Sequence, residues 1–197
     1  VELKTEPVNE VATQNTARVL HAVAADLQVV IEAENRTTLR LFNQQVLPEV
    51  AGKPFEHVML VDGNDERGID VGLLTRAKYP SVSIRSHVDD TDAKGLIFSR
   101  DCAEYEIALP HGQRLWLLAN HFKSKGFGNQ ADNNAKRKRQ AQRVRELVDA
   151  HLLAGDTLVA VVGDLNEIPG NAPLDPLLRP GPVLQDISSH PPSARGG

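Results

Sequence analysis

The sequence predicts an α/β fold, read as two sheets packed face to face with helices outside them, although periodicity alone equally admits a general α/β fold. Three observations predict it. Strand-like apolar runs occur in two separate parts of the chain, each part also holds segments with apolar residues three or four apart, and the clearest strand is apolar on both faces. With 197 residues and 41% apolar content, the chain is long enough for a sizeable core, so one domain is expected over residues 1–197, with an irregular tail from about residue 179.

Taken in order, Val11, Val19, Leu20, Val23 and Ala24 share a helical face over residues 11–25. Leu27 to Ile31 is rich in Val and Ile and ends at Glu32, which reads as a buried strand. Leu39, Phe42, Val46 and Leu47 predict a second helix over 36–50, with Pro48 straining or ending its last turn. Short strands are expected at 57–60 and 69–75 around the polar turn from Asp62 to Gly68, and Tyr79-Pro80 breaks the pattern. Residues 81–95 form a polar section, containing His87, Asp89, Asp90 and Asp92, with no strand assigned to it. Strands then follow at 96–98 and 103–109, and the turn Pro110-His111-Gly112 leads to another at 115–120. In that last strand Leu115, Leu117 and Ala119 face one way and Trp116, Leu118 and Asn120 the other, so protein is expected to cover both sides. Residues 126–134 read as a mobile loop, and Ala141, Val144, Leu147, Val148 and Leu152 make 137–152 the clearest helix. The run Leu158 to Gly163 is a buried strand. After Leu178 the Pro-rich tail shows little pattern.

Composition narrows the function. The 26 acidic and 22 basic residues leave a net charge of −4, which excludes a protein that coats DNA generally but allows a local basic surface. With one cysteine, Cys102, an intrachain disulfide framework and a thiolate metal cluster are both excluded. No apolar run is long enough for a transmembrane helix, and Val1 to Asn9 has no signal-peptide pattern. A soluble protein, extracellular or cytoplasmic, is expected. The oligomeric state is left open.

Polar clusters end several of these apolar strands: Glu32 with Glu34 and Asn35, Asp70 with Arg67, His121 with Asn120, and Asp164 with Asn166. An unpartnered carboxylate costs several kcal/mol to desolvate, so such endings point to a metal, a phosphate or a cation. Oxygen-rich donors favour magnesium over zinc, with manganese or calcium as alternatives. Phosphodiester hydrolysis uses these residue types well. Glu32 is then the metal ligand, Asp164 orients the attacking water, Asn166 and His121 contact the phosphoryl oxygens, and Asp70 supports the site from its edge. Arg67, Asn120, Lys123 and Lys125 are the expected substrate contacts. Local alternatives stand beside this reading: a Glu32–Arg36 pair, an Asp70–Arg67 pair, and a plain turn at Asp164 to Asn166.

The segments Arg67-Gly68-Ile69-Asp70-Val71-Gly72-Leu73-Leu74-Thr75-Arg76, Asn120-His121-Phe122-Lys123-Ser124-Lys125-Gly126 and Gly163-Asp164-Leu165-Asn166-Glu167-Ile168-Pro169 resemble successive motifs of the endonuclease/exonuclease/phosphatase superfamily, which includes pancreatic-type deoxyribonuclease. Ile31-Glu32-Ala33-Glu34-Asn35-Arg36 resembles its metal-binding glutamate segment, with Ile31 where glutamine is more usual. The resemblance covers roughly Ala12 to Pro176 and implies a four-layer α/β sandwich of two mainly antiparallel sheets flanked by helices. It also implies metal-dependent cleavage of a phosphate ester, with Glu32, His121, Asp164 and Asn166 at functional positions. The Lys-Ser-Lys-Gly stretch and the arginine-rich helix resemble the bacterial nuclease-type members, so nucleic acid is the expected substrate. A phosphorylated small molecule or lipid headgroup is the alternative, and so is an inactive nucleic-acid-binding fragment.

Two family features are not recognisable: an initial strand carrying an asparagine, and a final strand followed by an aspartate-histidine pair. His190 lies in Ser-Ser-His-Pro-Pro. A domain incomplete at its termini is therefore expected. The run Lys136-Arg137-Lys138-Arg139 with Arg143 and Arg145 reads equally as a phosphate-contacting surface or a solvated helix face. His87 with Arg85, Asp89, Asp90 and Asp92 reads as a hydrated acidic turn or a second ion-binding loop.

Overall fold

The computed structural model describes residues 9–126, 128–179 and 183–187; His190 and most of the tail lie outside the described residues. Asn9 starts helix α1 (Glu10–Val23) by accepting the Ala12 N–H at 3.0 Å, and the left-handed Ala24 ends it. Strand β1 (Leu27–Ala33) follows. Asn35 then caps α2 (Arg36–Leu41), which runs through a π-helical turn (Phe42–Val46) into α3 (Leu47–Glu49). Pro48 is tolerated because the π turn reroutes the ladder, with the Leu47 N–H reaching Phe42 O. The widened turn also buries Asn43, which bonds both the N–H and the C=O of Phe55, at 2.8 and 2.9 Å.

Strands β1, β2 (His57–Val61) and β3 (Asp70–Thr75) form a three-stranded antiparallel sheet in the order β1-β3-β2. The second sheet contains β4 (Ser81–Arg85), β7 (Cys102–Ala108), β8 (Arg114–His121) and β9 (Val159–Asp164) in that order. It is antiparallel except for the parallel β8–β9 pair. A small hairpin, β5 (Thr91–Asp92) with β6 (Gly95–Leu96), stands apart from both sheets. Helices α4 (Gln130–Leu153) and α5 (Asp175–Leu178) complete the α-helices among the described residues.

Three apolar layers stack these elements as helix, sheet, sheet, helix. Ala17, Leu39, Leu47 and Leu74 lie between the first helices and the first sheet. Val71 and Leu73 meet Tyr105, Ile107, Leu117 and Ala119 between the sheets, while Leu118 and Phe122 meet Ala141, Val144 and Val148 beneath α4. The two faces expected for residues 115–120 are thus both covered.

Three elements and one surface differ from the sequence expectation. Residues 81–85 form a strand, which their polar setting hid, because β7 supplies hydrogen bonds that no local pattern records. In residues 96–98 only Leu96 is in a strand. Helix α4 begins at Gln130, since Asn129 caps it by accepting the Ala131 N–H at 2.8 Å, so much of the expected mobile loop is its first turns. Its arginines are not a free basic surface. Arg137 is fully buried, and Arg139, Arg143 and Arg145 pair with Asp92, Asp90 and Asp149.

His87 belongs to a buried network beneath α4. Its Nδ1 is 3.0 Å from Asp90 and its Nε2 3.3 Å from Glu104; His151 reaches the same Glu104 oxygen at 3.3 Å and Asp156 at 2.8 Å. Arg85 holds the other Glu104 oxygen, and Ser86 and the His87 N–H hold Asp101. Burial works against a charge on His87, but Glu104 and Asp90 overcome it and raise its pKa above the ordinary 6.5. Its contribution to stability is then complete below about pH 6.5 and is lost as pH rises through the higher folded-state value. Urea titrations of the wild type and His87→Gln are expected to show a stability gap that shrinks on the alkaline side. A gap that stays constant over that range would show that His87 carries no extra proton in the fold.

Candidate functional site

The site begins with two strands that end side by side. Parallel pairing sets Asn120 opposite Gly163 and His121 opposite Asp164, so the imidazole and the carboxylate emerge at the same level of the sheet. Gly163, at φ +119°, permits this approach: a Cβ there would lie 1.9 Å from Asn120 O. Beyond Asp164 the chain turns sharply. The Asn166 N–H donates to Asp164 Oδ1 at 2.7 Å, and the Asn166 side chain donates to Phe122 O at 3.1 Å. The turn reading of this segment and its clustering with His121 therefore describe the same geometry.

Glu32 arrives from the other sheet. Strand β1 keeps register with β3 from Leu27 to Val30, slips, and resumes with Ala33 opposite Asp70. At that bulge Glu32 adopts φ +58°, and its carboxylate comes within 4.0 Å of His121 Nε2. A left-handed glutamate costs about 1–3 kcal/mol, which one well-buried leucine offsets. Arg36 takes no part in this arrangement and donates instead to Val58 O at 3.0 Å.

His121 is buried and its Nδ1 has no hydrogen-bond partner. Burial lowers its pKa and nearby Arg100 adds to the effect, against the pull of Asp164 and Glu32, so the imidazole is neutral at pH 7. Asp70, on β3 beside Ala33, accepts the Gly63 N–H at 2.7 Å rather than pairing with Arg67. Burial raises its pKa, with Asp62 and Asp65 adding to the rise.

A small cationic cavity of about 340 Å³ adjoins the cluster, lined by Asp65, Arg67, Ser99, Arg100, Lys123 and Ser124. Arg100 is 2% exposed, lies 2.9 Å from Asp65, donates to Phe122 O at 3.2 Å, and acts electrostatically on Glu32 and Asp164. Sequence reading passed over Arg100. No sequence signal marked it, since the full burial of Phe98 and Cys102 on either side of it is seen only in the structure. Arg67 also forks onto Asp65, at 2.9 and 3.1 Å.

Two expected substrate contacts are spent elsewhere. Asn120 lies on the opposite strand face from His121, is fully buried, and donates to Leu118 O at 3.0 Å. Lys125 pairs with Glu167, whose side chain is 4% exposed. Burial opposes the charge of Glu167, but Lys125, Asn171 and the Ile168 N–H together hold its pKa at about 2.

The sequence profile described as the Endonuclease/Exonuclease/phosphatase family matches residues 8–183. The chain belongs to the endonuclease/exonuclease/phosphatase family. Solved structures share its fold. Truncated Caenorhabditis elegans TDP2 matches with TM-score 0.60 and 13% identity, covering 81% of this chain and 57% of that one. Sphingomyelinase C from Streptomyces griseocarneus matches with TM-score 0.56 and 20% identity, covering 85% and 62%. A mannosyl-6-phosphatase from Bacteroides thetaiotaomicron matches with TM-score 0.61 and 16% identity, covering 90% and 67%. The chain thus spans less than two thirds of the first two family structures. No curated protein matches it.

In this family member the strand ends depend on the glycine that lets β9 pass Asn120. Gly163→Ala is expected to lose at least about 2 kcal/mol in urea denaturation, from strain plus collision with a backbone oxygen. A loss below about 0.5 kcal/mol would contradict that close approach.

Proposed function

We propose that the chain is a magnesium-dependent phosphodiester hydrolase in which water attacks in line at phosphorus, with nucleic acid as the leading substrate. One observation carries the reading: His121 and Asp164 end adjacent parallel strands where Glu32, from the opposing sheet, comes within 4.0 Å of His121. Family membership supports hydrolysis of a phosphate ester.

The donor set fits a hard cation in an open site. Among the described residues, no group of three or more His, Cys, Asp or Glu side chains is arranged to hold a metal ion. Magnesium commonly binds through one or two carboxylates plus water and substrate phosphate, and Glu32, with its side chain 62% exposed, offers one such carboxylate. When bound, the metal supplies charge neutralisation at the phosphate and a more acidic water.

The remaining roles belong to the chain itself. Asp164 keeps one oxygen on the Asn166 N–H and turns the other to the attacking water as a proton acceptor. Asn166 commits one side-chain N–H to Phe122 O and has a second for a phosphoryl oxygen. His121, neutral and buried, donates a hydrogen bond to the phosphate without competing with it for a proton. Arg100, Arg67 and Lys123 give the adjoining cavity positive charge for a phosphate, while Asp70 supports the Glu32 bulge from β3.

A phosphorylated small molecule or lipid headgroup is the second reading, favoured by the internal pairing of the α4 arginines. That pairing leaves a compact cationic cavity rather than a long phosphate track. Plasmid DNA, RNA, bis(p-nitrophenyl) phosphate, p-nitrophenyl phosphate and sphingomyelin vesicles separate the two. Magnesium-stimulated cleavage of the nucleic acids is expected, abolished by chelator and lowered roughly 10²–10⁴-fold by Asp164→Ala. Turnover confined to the monoester or the vesicles would move the assignment to the second reading. Full activity of Asp164→Ala or of the chelated protein would sink the hydrolytic site itself.

A further inference from the structure

We propose that Glu167 is a positioning residue that holds the Asn166 side-chain amide in place for the phosphate; this rests on the hydrolytic reading of the same site. Asn166 is left-handed, at φ +50°, and is pinned on its N-terminal side by Asp164 Oδ1. On its C-terminal side the next residue is Glu167. Its buried carboxylate accepts the Ile168 N–H at 3.0 Å and the Asn171 amide at 2.8 Å, holding the loop against itself. The same carboxylate pairs with Lys125 and lies 3.3 Å from the fully buried Arg137 of α4.

These partners matter because they belong to the other half of the site. Arg137 donates to Lys123 O at 2.9 Å, and Gln140 accepts the Lys123 N–H at 2.9 Å, so α4 grips the strand extension that follows His121 at both backbone groups of one residue. Phe122, within that extension, donates its N–H to Asp164 O at 2.9 Å and accepts the Asn166 amide. Glu167 is therefore where the Asn166 loop, the extension after His121 and α4 are joined by one side chain. Without it, Asn166 keeps Asp164 and Phe122 but loses the anchor that stops its loop from unwinding toward a right-handed or extended backbone. An amide displaced by about 1 Å loses much of its effect in a transition state, since positioning supplies a large share of catalysis.

The test combines kinetics with a readout independent of turnover. With magnesium and bis(p-nitrophenyl) phosphate, Glu167→Ala is expected to lower kcat about 10–100-fold with KM within about twofold, because the contact strengthens in the transition state. Glu167→Gln keeps the shape and the acceptor for Ile168 and Asn171 but gives up the charge that meets Lys125 and Arg137, so it is expected to restore part of the loss. In an Asn166→Ala background, Glu167→Ala is expected to add less than about twofold, the non-additivity of residues acting through one group. An effect that multiplies undiminished in that background overturns the proposal, since Glu167 then acts by another route. Nitrogen-15 relaxation of the Asn166 backbone and side-chain amides gives the independent readout. Both are expected to become mobile on the ps–ns scale in Glu167→Ala while β8 and β9 amides stay rigid. If Asn166 stays as rigid as in the wild type, the proposal fails even if the protein hydrolyses nothing. Mobilised Asn166 amides in Glu167→Ala, together with a wild type that cleaves no phosphoester, leave the positioning role standing and remove only the hydrolytic reading.

Discussion

The apolar layer between the sheets sets the level at which the strands end, and the candidate site inherits its geometry from that layer. Val71 and Leu73 on β3 pack against Tyr105, Ile107, Leu117 and Ala119 on β7 and β8. With those contacts in place, Glu32 at the end of β1 and His121 at the end of β8 approach each other from different sheets. Each fully buried side chain contributes roughly 1.5–3 kcal/mol. That is enough to hold a left-handed glutamate and a close strand crossing at Gly163 that neither local sequence would adopt alone.

Charge is managed by internal pairing rather than by exposure. Arg100, Arg137, Glu104 and Asp101 are almost wholly buried, and each has an opposite charge or a hydrogen-bond partner. Removing one partner from such a pair leaves a buried charge uncompensated, which typically costs about 3–5 kcal/mol, so these groups constrain the fold even where their net contribution is small. The consequence for function is specific. Arginines that look like a nucleic-acid surface in the linear sequence are held by Asp90, Asp92 and Asp149, and the cavity proposed for a phosphate draws its cationic character from Arg67, Arg100 and Lys123.

Much of the fold was legible because its signals are local. The alternating faces of residues 115–120, the Val-rich run before Asp164 and the helical stripe from Ala141 to Leu152 each report burial through their own periodicity. Strand β4 was not legible, since Ser81, Ser83 and Arg85 look like loop residues until β7 supplies their hydrogen bonds. The start of α4 was hidden for a related reason: residues 130–136 are polar, and only the Asn129 cap marks the boundary. At the site, Glu32, His121, Asp164 and Asn166 stood out as polar groups ending apolar strands. Arg100 did not, because an arginine in a short connection gives no pattern from which burial can be inferred.

The sequence by itself determined the α/β class and most of the helices and strands through periodicity, and its short motifs carried the resemblance that implied the four layers and the family. It also determined which oxygen and nitrogen donors are available for a phosphate-cleaving centre. Only the tertiary structure decided which donors share a site. Parallel pairing brings His121 beside Asp164, while strand alternation turns Asn120 to the other face. Glu167 takes Lys125 and Arg137, while Asp92 and Asp90 take Arg139 and Arg143 of α4. The physical reason is that electrostatic pairing depends on distance through space, and the chain separations involved, 42 residues for Lys125 and Glu167 and 47 for Asp92 and Arg139, leave no trace in local sequence.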